Sequence, residues 1–439
     1  MSKNNALRIV GAGLAGCEAA LHAASRGIKV KLYDIKPQKF TPAHRSEGLA
    51  ELVCSNSLKS NDVYGNACGL LKEEMRLLGS KIIEAADKTS VPAGKALAVN
   101  RELFSQYITD LVRNDPNIEF VSEEVSEIDP DEYTIIATGP LTTAPLAEYI
   151  KNKVGACPYF FDAAAPIIDG ESIDFDSAFI ADRYGEAGSG DYVNCPLTKE
   201  EYDLFVSELL SAERAVLHDF EDDKVFDGCM PIEVMAARGH DTLRFGPMKP
   251  TGLTDPKTGR WPYACVQLRR ENVAGDSYNA VGFQTNLLFS EQKRVLSIIP
   301  ALKNAEYFRY GVMHKNTYLD GPKVLNNDFS LKNNDKTFFA GQITGVEGYV
   351  ESAASGLIAA INAVNKMKGK PVVDLGNSTV IGALSNYVAA PNENFQPMNA
   401  NYGILNPIEP KIRDKTKRKE EYAFRSLSIV KKYKESTHD

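Results

Sequence analysis

The segment Gly11-Ala12-Gly13-Leu14-Ala15-Gly16 constrains this 439-residue chain more than any other. It follows a short apolar run, residues 7–10, and precedes an Ala-rich helical stretch that ends near Gly27. Glycine at the first position permits a tight turn, and at the second it lets a pyrophosphate approach the backbone. At the third it lets the helix pack closely, while the helix N-terminus offers N–H groups to the anion. Residues 29–33 read as the next strand, with Asp34 at its C-terminal end, 18 residues after the last glycine. A carboxylate there reaches ribose hydroxyls. The pattern predicts a dinucleotide-binding βαβ unit in which Gly11, Ala12, Gly13, Leu14, Ala15, Gly16 and Asp34 contact the ligand. A turn serving packing alone leaves Asp34 unexplained.

Composition is that of an ordinary globular protein, 43% hydrophobic and 25% charged. No run approaches 18 uncharged apolar residues, and residues 1–8 lack a cleavable signal pattern, so no membrane helix and a cytoplasmic location are expected. Seven cysteines contain no C-x-x-C pair, which excludes a zinc ribbon or a thioredoxin-type dithiol. No His/Cys/Asp group has metal-ligand spacing, so no metal is expected. The net charge of −8 argues against a whole-surface nucleic-acid binder, DNA included. Residues 411–434 nevertheless hold ten Lys/Arg against three acids, a local +7. That run reads either as an RNA-binding arm or as an amphipathic basic helix packed on the body.

Residues 100–113 predict a helix capped by Asn100, with Leu103, Phe104, Tyr107, Ile108 and Leu111 on one face. Residues 133–137 predict a strand ending in the turn Thr138-Gly139-Pro140, and 336–340 another, before a Gly-rich loop and a long helix over 351–367. Between 155 and 320 strand-like runs, such as 178–182 and 263–268, alternate with Gly/Pro turns. The expected fold class is α/β: a discontinuous Rossmann-like FAD-binding domain (1–154 and 321–439) with an inserted mixed α+β domain (155–320) that meets the substrate. FAD rather than NAD follows from a second Gly-rich strand-to-helix turn, Phe338-Phe339-Ala340-Gly341-Gln342, and from Ile136-Ala137-Thr138-Gly139. Gly139, Gly341 and Gln342 join the expected cofactor contacts. Gln342 stands where an acid is usual, and its amide can bond a ribitol hydroxyl. Gly188-Ser189-Gly190 lacks a third glycine, so a pyridine nucleotide has no Rossmann domain of its own here.

Several stretches together resemble one family: the folate- and FAD-dependent tRNA (uracil-5-)-methyltransferases of the wider GidA-like group. They are Ala50-Glu51-Leu52-Val53-Cys54-Ser55-Asn56-Ser57-Leu58-Lys59-Ser60, Asp227-Gly228-Cys229-Met230-Pro231-Ile232-Glu233, Asp241-Thr242-Leu243-Arg244-Phe245-Gly246-Pro247-Met248-Lys249-Pro250, Val266-Gln267-Leu268-Arg269, and the segments 340–349 and 395–399. The resemblance implies FAD, a reduced nicotinamide (NADPH or NADH), 5,10-methylenetetrahydrofolate as carbon donor, and the T-loop uridine of tRNA as acceptor. The related enzyme that modifies wobble uridines is longer and carries Cys-Asn-Pro where this chain has Cys54-Ser55-Asn56.

Uracil C5 is too poor a nucleophile to take a one-carbon unit unaided; a thiolate adding to C6 makes it enolate-like. By motif match the resemblance makes Cys229 that nucleophile, with Cys54 its helper near the flavin. Cys17, Cys68, Cys157, Cys195 and Cys265 read as small buried hydrophobes. Arg244, Lys249 and Arg269 are candidates to neutralise tRNA phosphates or the folate glutamate. His240 and His314 read as structural. Competing readings are the same chemistry on a ribosomal RNA uridine, a simple NAD(P)H-dependent flavin oxidoreductase, and a non-catalytic RNA-binding flavoprotein. The missing dithiol counts against a disulfide reductase, and the last reading leaves both cysteine motifs idle.

Overall fold

The computed structural model describes residues 6–155, 159–163, 165–185, 190–215, 230–272, 275–311, 313–393 and 395–436. Its organising element is a six-stranded sheet. Across it run Ser330–Leu331, Asn334–Phe339, Thr134–Ile136, Ala6–Val10, Lys29–Asp34 and Ile118–Ser122. All neighbours are parallel except the first pair. Leu7, Ile9, Leu32, Ile135, Phe338 and Phe339 are fully buried, as a parallel sheet covered on both faces requires. The C-terminal ends of four central strands, at Val10, Asp34, Ile136 and Phe339, thus come to one edge, where ligands bind in open α/β sheets.

Small residues let the helices close over this sheet. The helix Leu14–Ser25 packs on the long helix Tyr349–Met367. A methyl group on Gly356 would sit 2.3 Å from the carbonyl oxygen of Ala15, so only glycine fits that crossing. The helix Arg101–Asn114 is capped as expected, the Asn100 side chain accepting the N–H groups of Glu102 and Leu103. Its buried row is Phe104, Ile108 and Val112, however, and Leu103 is 57% exposed. The row at i, i+4, i+8 beginning one residue later faces the core, which puts Leu103 on the rim.

A second, wholly antiparallel sheet runs Phe179–Ile180, Tyr192–Leu197, Ala264–Arg270, Ser277–Ala280, Ile167–Asp169 and Tyr307–Arg309. Only two of the residues 178–182 are strand; Asn194 takes the backbone carbonyls of Phe179 and Ala181 through its side chain. The helix Lys199–Ser211 buries Tyr202, Phe205, Val206 and Leu209 against this sheet and opens with a capping box between Thr198 and Glu201.

The basic C-terminal stretch forms the helix Lys415–Ser436. Tyr422, Ala423, Ser426, Leu427 and Val430 are buried against the helix Ala67–Leu78, and the Ser426 hydroxyl donates to Glu74. Lys415, Lys417, Lys431 and Lys432 stay exposed. The segment is a packed helix with a cationic outer face. Among the described residues no helix is long and apolar enough to cross a membrane.

Candidate active site

The strand ends enclose a cleft of about 1160 Å³, part of it open solvent. Gly11, Ala12, Gly13, Leu14, Ala15, Asp34, Gly139, Gly341 and Gln342 all line it. The three glycines of the loop divide the work. A Cβ on Gly11, at φ +100°, would lie 2.5 Å from the Ala137 carbonyl oxygen; one on Gly16 would lie 1.8 Å from the Gly11 carbonyl oxygen. A Cβ on Gly13 would meet no protein atom within 4 Å. Gly11 and Gly16 are therefore demanded by the fold, while nothing in the protein demands Gly13. Its bare backbone leaves room for a ligand to approach.

Asp34 accepts the Ala12 N–H at 2.6 Å through Oδ2 and the Lys36 N–H at 2.9 Å through Oδ1. Each oxygen keeps a lone pair for a ligand hydroxyl. The Gln342 amide donates to Glu347 at 2.6 Å, which leaves its carbonyl oxygen as an acceptor beside the cleft. These residues fit a dinucleotide: an anion at the loop, a diol at Asp34.

At one end the cleft reaches Val53 and Tyr349, and through Tyr349 it meets Cys54. The Cys54 N–H donates to the Tyr349 oxygen at 2.8 Å, the Ser55 N–H at 3.4 Å, and the Cys54 sulfur lies 2.9 Å from the same oxygen. Burial, with the neighbouring Cys54 adding to it, pushes the Tyr349 phenol well above its ordinary pKa, so it keeps its proton. With two backbone N–H groups on the oxygen, that proton is available to the sulfur.

The loop carrying Cys54 is braced from the antiparallel sheet on one side and from the helices Arg101–Asn114 and Ala67–Leu78 on the other. Arg269 donates to Asn56 Oδ1 at 3.0 Å and to Ser55 Oγ at 2.7 Å, while the Asn56 amide donates to the carbonyls of Val99 and Arg270. Arg101 grips Glu271 at 2.5 and 3.2 Å and donates to the Leu52 carbonyl at 2.9 Å. Lys72, fully buried, donates to the carbonyls of Leu58 and Ser60, each at 2.7 Å. Cys54 is partly exposed, whereas Cys17, Cys68, Cys195 and Cys265 are buried. Burial pushes those four thiols up, Cys68 to about 11 and Cys265 to about 12, so they remain neutral thiols near pH 7.

Cys229 and Cys157 lie outside the described residues, as do Gly188, Ser189 and the His314 side chain. Arg244 and Lys249 stand apart from the Cys54 loop. Arg244 lies 3.7 Å from the centre of the Tyr263 ring, donates to the Tyr263 carbonyl and pairs with Asp241 at 3.0 Å; Lys249 is exposed. Arg269 is 6% exposed and committed to the loop. His240 pairs with Asp203 at 3.0 Å on the surface. Among the described residues no group of three or more His, Cys, Asp or Glu could hold a metal. Tyr349, Arg101 and Glu271 escaped the sequence reading; only Tyr349 had a signal, its place in the glycine-rich stretch before the long helix.

Comparison with known proteins fits this geometry. Residues 6–371 match the family model described as glucose inhibited division protein A. The methylenetetrahydrofolate--tRNA-(uracil-5-)-methyltransferase TrmFO of Acetivibrio thermocellus is 57% identical over 429 residues, 97% of this chain and 98% of that protein. The protein of the same name from Bacillus mycoides is 52% identical over the same shares. Among solved structures, Aquifex aeolicus GidA in its form I crystal superposes with a TM-score of 0.70 at 16% identity, covering 98% of this chain and 76% of that one.

Proposed function

The chain belongs to the GidA family and, within it, to the methylenetetrahydrofolate--tRNA-(uracil-5-)-methyltransferases, and we propose on that basis that it makes 5-methyluridine by moving a folate-borne carbon onto C5 of a tRNA uridine, the T-loop uridine. The observation that carries this reading is the meeting of Cys54 with the end of the dinucleotide cleft through Tyr349. A flavin oxidoreductase without a second substrate has no use for a braced thiol there.

Gly11 to Ala15, Asp34, Gly139, Gly341 and Gln342 would hold FAD, with Gly16, which does not line the cleft, shaping the loop; the uncovered face of Gly13 and the spare lone pairs of Asp34 support this. FAD, when bound, supplies the two-electron reduction and carries the folate carbon. The overall reaction balances as uridine, methylenetetrahydrofolate, NADPH or NADH and one proton giving 5-methyluridine, tetrahydrofolate and the oxidised nicotinamide. Cys229 adds through sulfur to uracil C6, moving the C5–C6 electron pair onto C5 and the C4 oxygen. C5 then takes the carbon, Cys54 assists departure of the C5 proton, and breaking the sulfur–C6 bond restores the ring. Tyr349 orients Cys54 and shares its proton with that sulfur. Arg101 and Arg269 hold the loop, while the exposure of Lys249 supports an RNA-phosphate contact there. Two cores, one on each sheet, support dividing the chain into a dinucleotide unit (1–154 with 321–439) and a substrate unit (155–320).

The test is incubation of flavin-loaded protein with transcribed tRNA and ribosomal RNA side by side, methylenetetrahydrofolate and NADPH or NADH, followed by nucleoside analysis. 5-Methyluridine in tRNA is expected. Product in ribosomal RNA alone, or none in either, overturns the reading.

A further inference from the structure

Three arginines converge behind Cys54, and two are fully engaged. Arg101 is held by Glu271 and the Leu52 carbonyl, and Arg269 by Ser55 and Asn56. The third, Arg309, ends the edge strand Tyr307–Arg309 of the antiparallel sheet. Its guanidinium makes no hydrogen bond or ion pair with any described residue, and its Nε is buried from solvent. Its charge acts on Arg101, Tyr349, Arg45 and Cys54, and on His44, which lines the cleft. Arg309 is half-buried, and its Nε is shut off from solvent without an acceptor while a like charge stands near it, a cost that a bound acceptor would remove. Burial and the neighbouring Arg101 both push its pKa down. A planar fork of N–H donors suits an oxygen that carries or gains negative charge.

We propose that Arg309 binds the carbonyl oxygen on which negative charge builds up at the reaction centre, an oxygen of a planar imide ring. This rests on the function proposed above. Two rings share that chemistry. Uracil gains charge on its C4 oxygen when the thiolate adds to C6, and the flavin gains it at N1 and the C2 oxygen on two-electron reduction. Arg309 comes from the edge of the second sheet, and its charge reaches Tyr349 and Cys54.

The experiment uses flavin-loaded wild type, R309K and R309Q. The flavin midpoint potential is read without RNA, against a reference dye. Covalent capture of a T-loop RNA hairpin carrying 5-fluorouridine is read in the presence of methylenetetrahydrofolate and NADPH, alongside hairpin affinity across a salt series. If the ring is the flavin, R309Q loses at least tenfold of its preference for the reduced form, about 30 mV lower for a two-electron couple, and R309K loses less. If the ring is uracil, the potential holds while capture slows at least tenfold at unchanged hairpin affinity. Either outcome supports the proposal. Unchanged potential and unchanged capture overturn it, and so does loss of hairpin affinity with a flatter salt slope, which marks a phosphate contact. Should R309Q fail to fold, R309K carries the test, because it keeps the charge and removes the fork. Failure of the wild type itself to capture the hairpin counts against the function and not against Arg309 alone.

Discussion

The phenol oxygen of Tyr349 accepts the backbone N–H of Cys54 at 2.8 Å and lies 2.9 Å from that residue's sulfur, so one side chain on the long helix fixes both the place and the hydrogen bonding of a thiol 295 residues away in sequence. Y349F removes the donor and the anchor together. The thiolate loses one stabilising hydrogen bond, worth about 1 kcal/mol, so Cys54 is alkylated more slowly at neutral pH. Alkylation rates followed by peptide mass spectrometry across pH 6–10 measure it. An unshifted profile would show that the phenol does not donate to the sulfur.

Gly13 and Gly16 separate ligand demand from fold demand. G13A places a methyl in the open cleft, so the flavin-free protein keeps its stability within about 1 kcal/mol while FAD affinity falls at least tenfold. G16A drives a methyl into the Gly11 carbonyl and lowers the melting temperature of the flavin-free protein as well. Equal melting temperatures for G16A and wild type would refute the packing role.

Arg269 is a positioning residue of the Cys54 loop. R269A strands the buried Asn56 oxygen and frees Ser55, at a cost of about 1–3 kcal/mol. R269K keeps the charge but cannot reach both partners, and it should slow methylation with little change in tRNA affinity. A selective loss of tRNA affinity in R269K would restore the phosphate-binding role expected from the sequence.

Glu74 gives a pH signature. It accepts the N–H groups of Val380 and Ile381 at 2.8 Å each and the Ser426 hydroxyl, tying the C-terminal helix to the body. Burial outweighs these donors and pushes its pKa up to about 7. Between the unfolded value and about 7 the folded protein binds more protons, so this group's stabilisation is full at low pH and fades as pH rises through 7. Wild type should therefore lose stability relative to E74Q between pH 5 and pH 8, by up to roughly 3 kcal/mol. Urea titrations of both proteins decide it; a gap that moves the other way contradicts the assignment.

What the sequence disclosed follows the range of each constraint. The glycine loop and Asp34 were legible because their steric and hydrogen-bonding demands fall within one βαβ unit. The capping role of Asn100 was legible for the same reason. Leu103 was misplaced because two adjacent helical rows are equally apolar, and only the packed structure chooses between them. Arg269 reads as a surface cation until the strand Ala264–Arg270 proves to be covered on both faces, which removes the alternation that would have flagged it. The pairing of Tyr349 with Cys54, and the convergence of Arg101, Arg269 and Arg309, join segments that no local pattern connects. The basic C-terminal run left two readings open because packing and solvation both suit an amphipathic cationic helix; buried Ser426 and Val430 favour packing.

The most direct test is single-turnover methylation of tRNA with methylenetetrahydrofolate labelled at its one-carbon unit, using wild type, C229A, and wild type stripped of flavin. Label is expected in 5-methyluridine with the wild type alone, while C229A still binds flavin and makes no product. Equal product from stripped protein or from C229A, or product made from S-adenosylmethionine without folate, would contradict the proposed function.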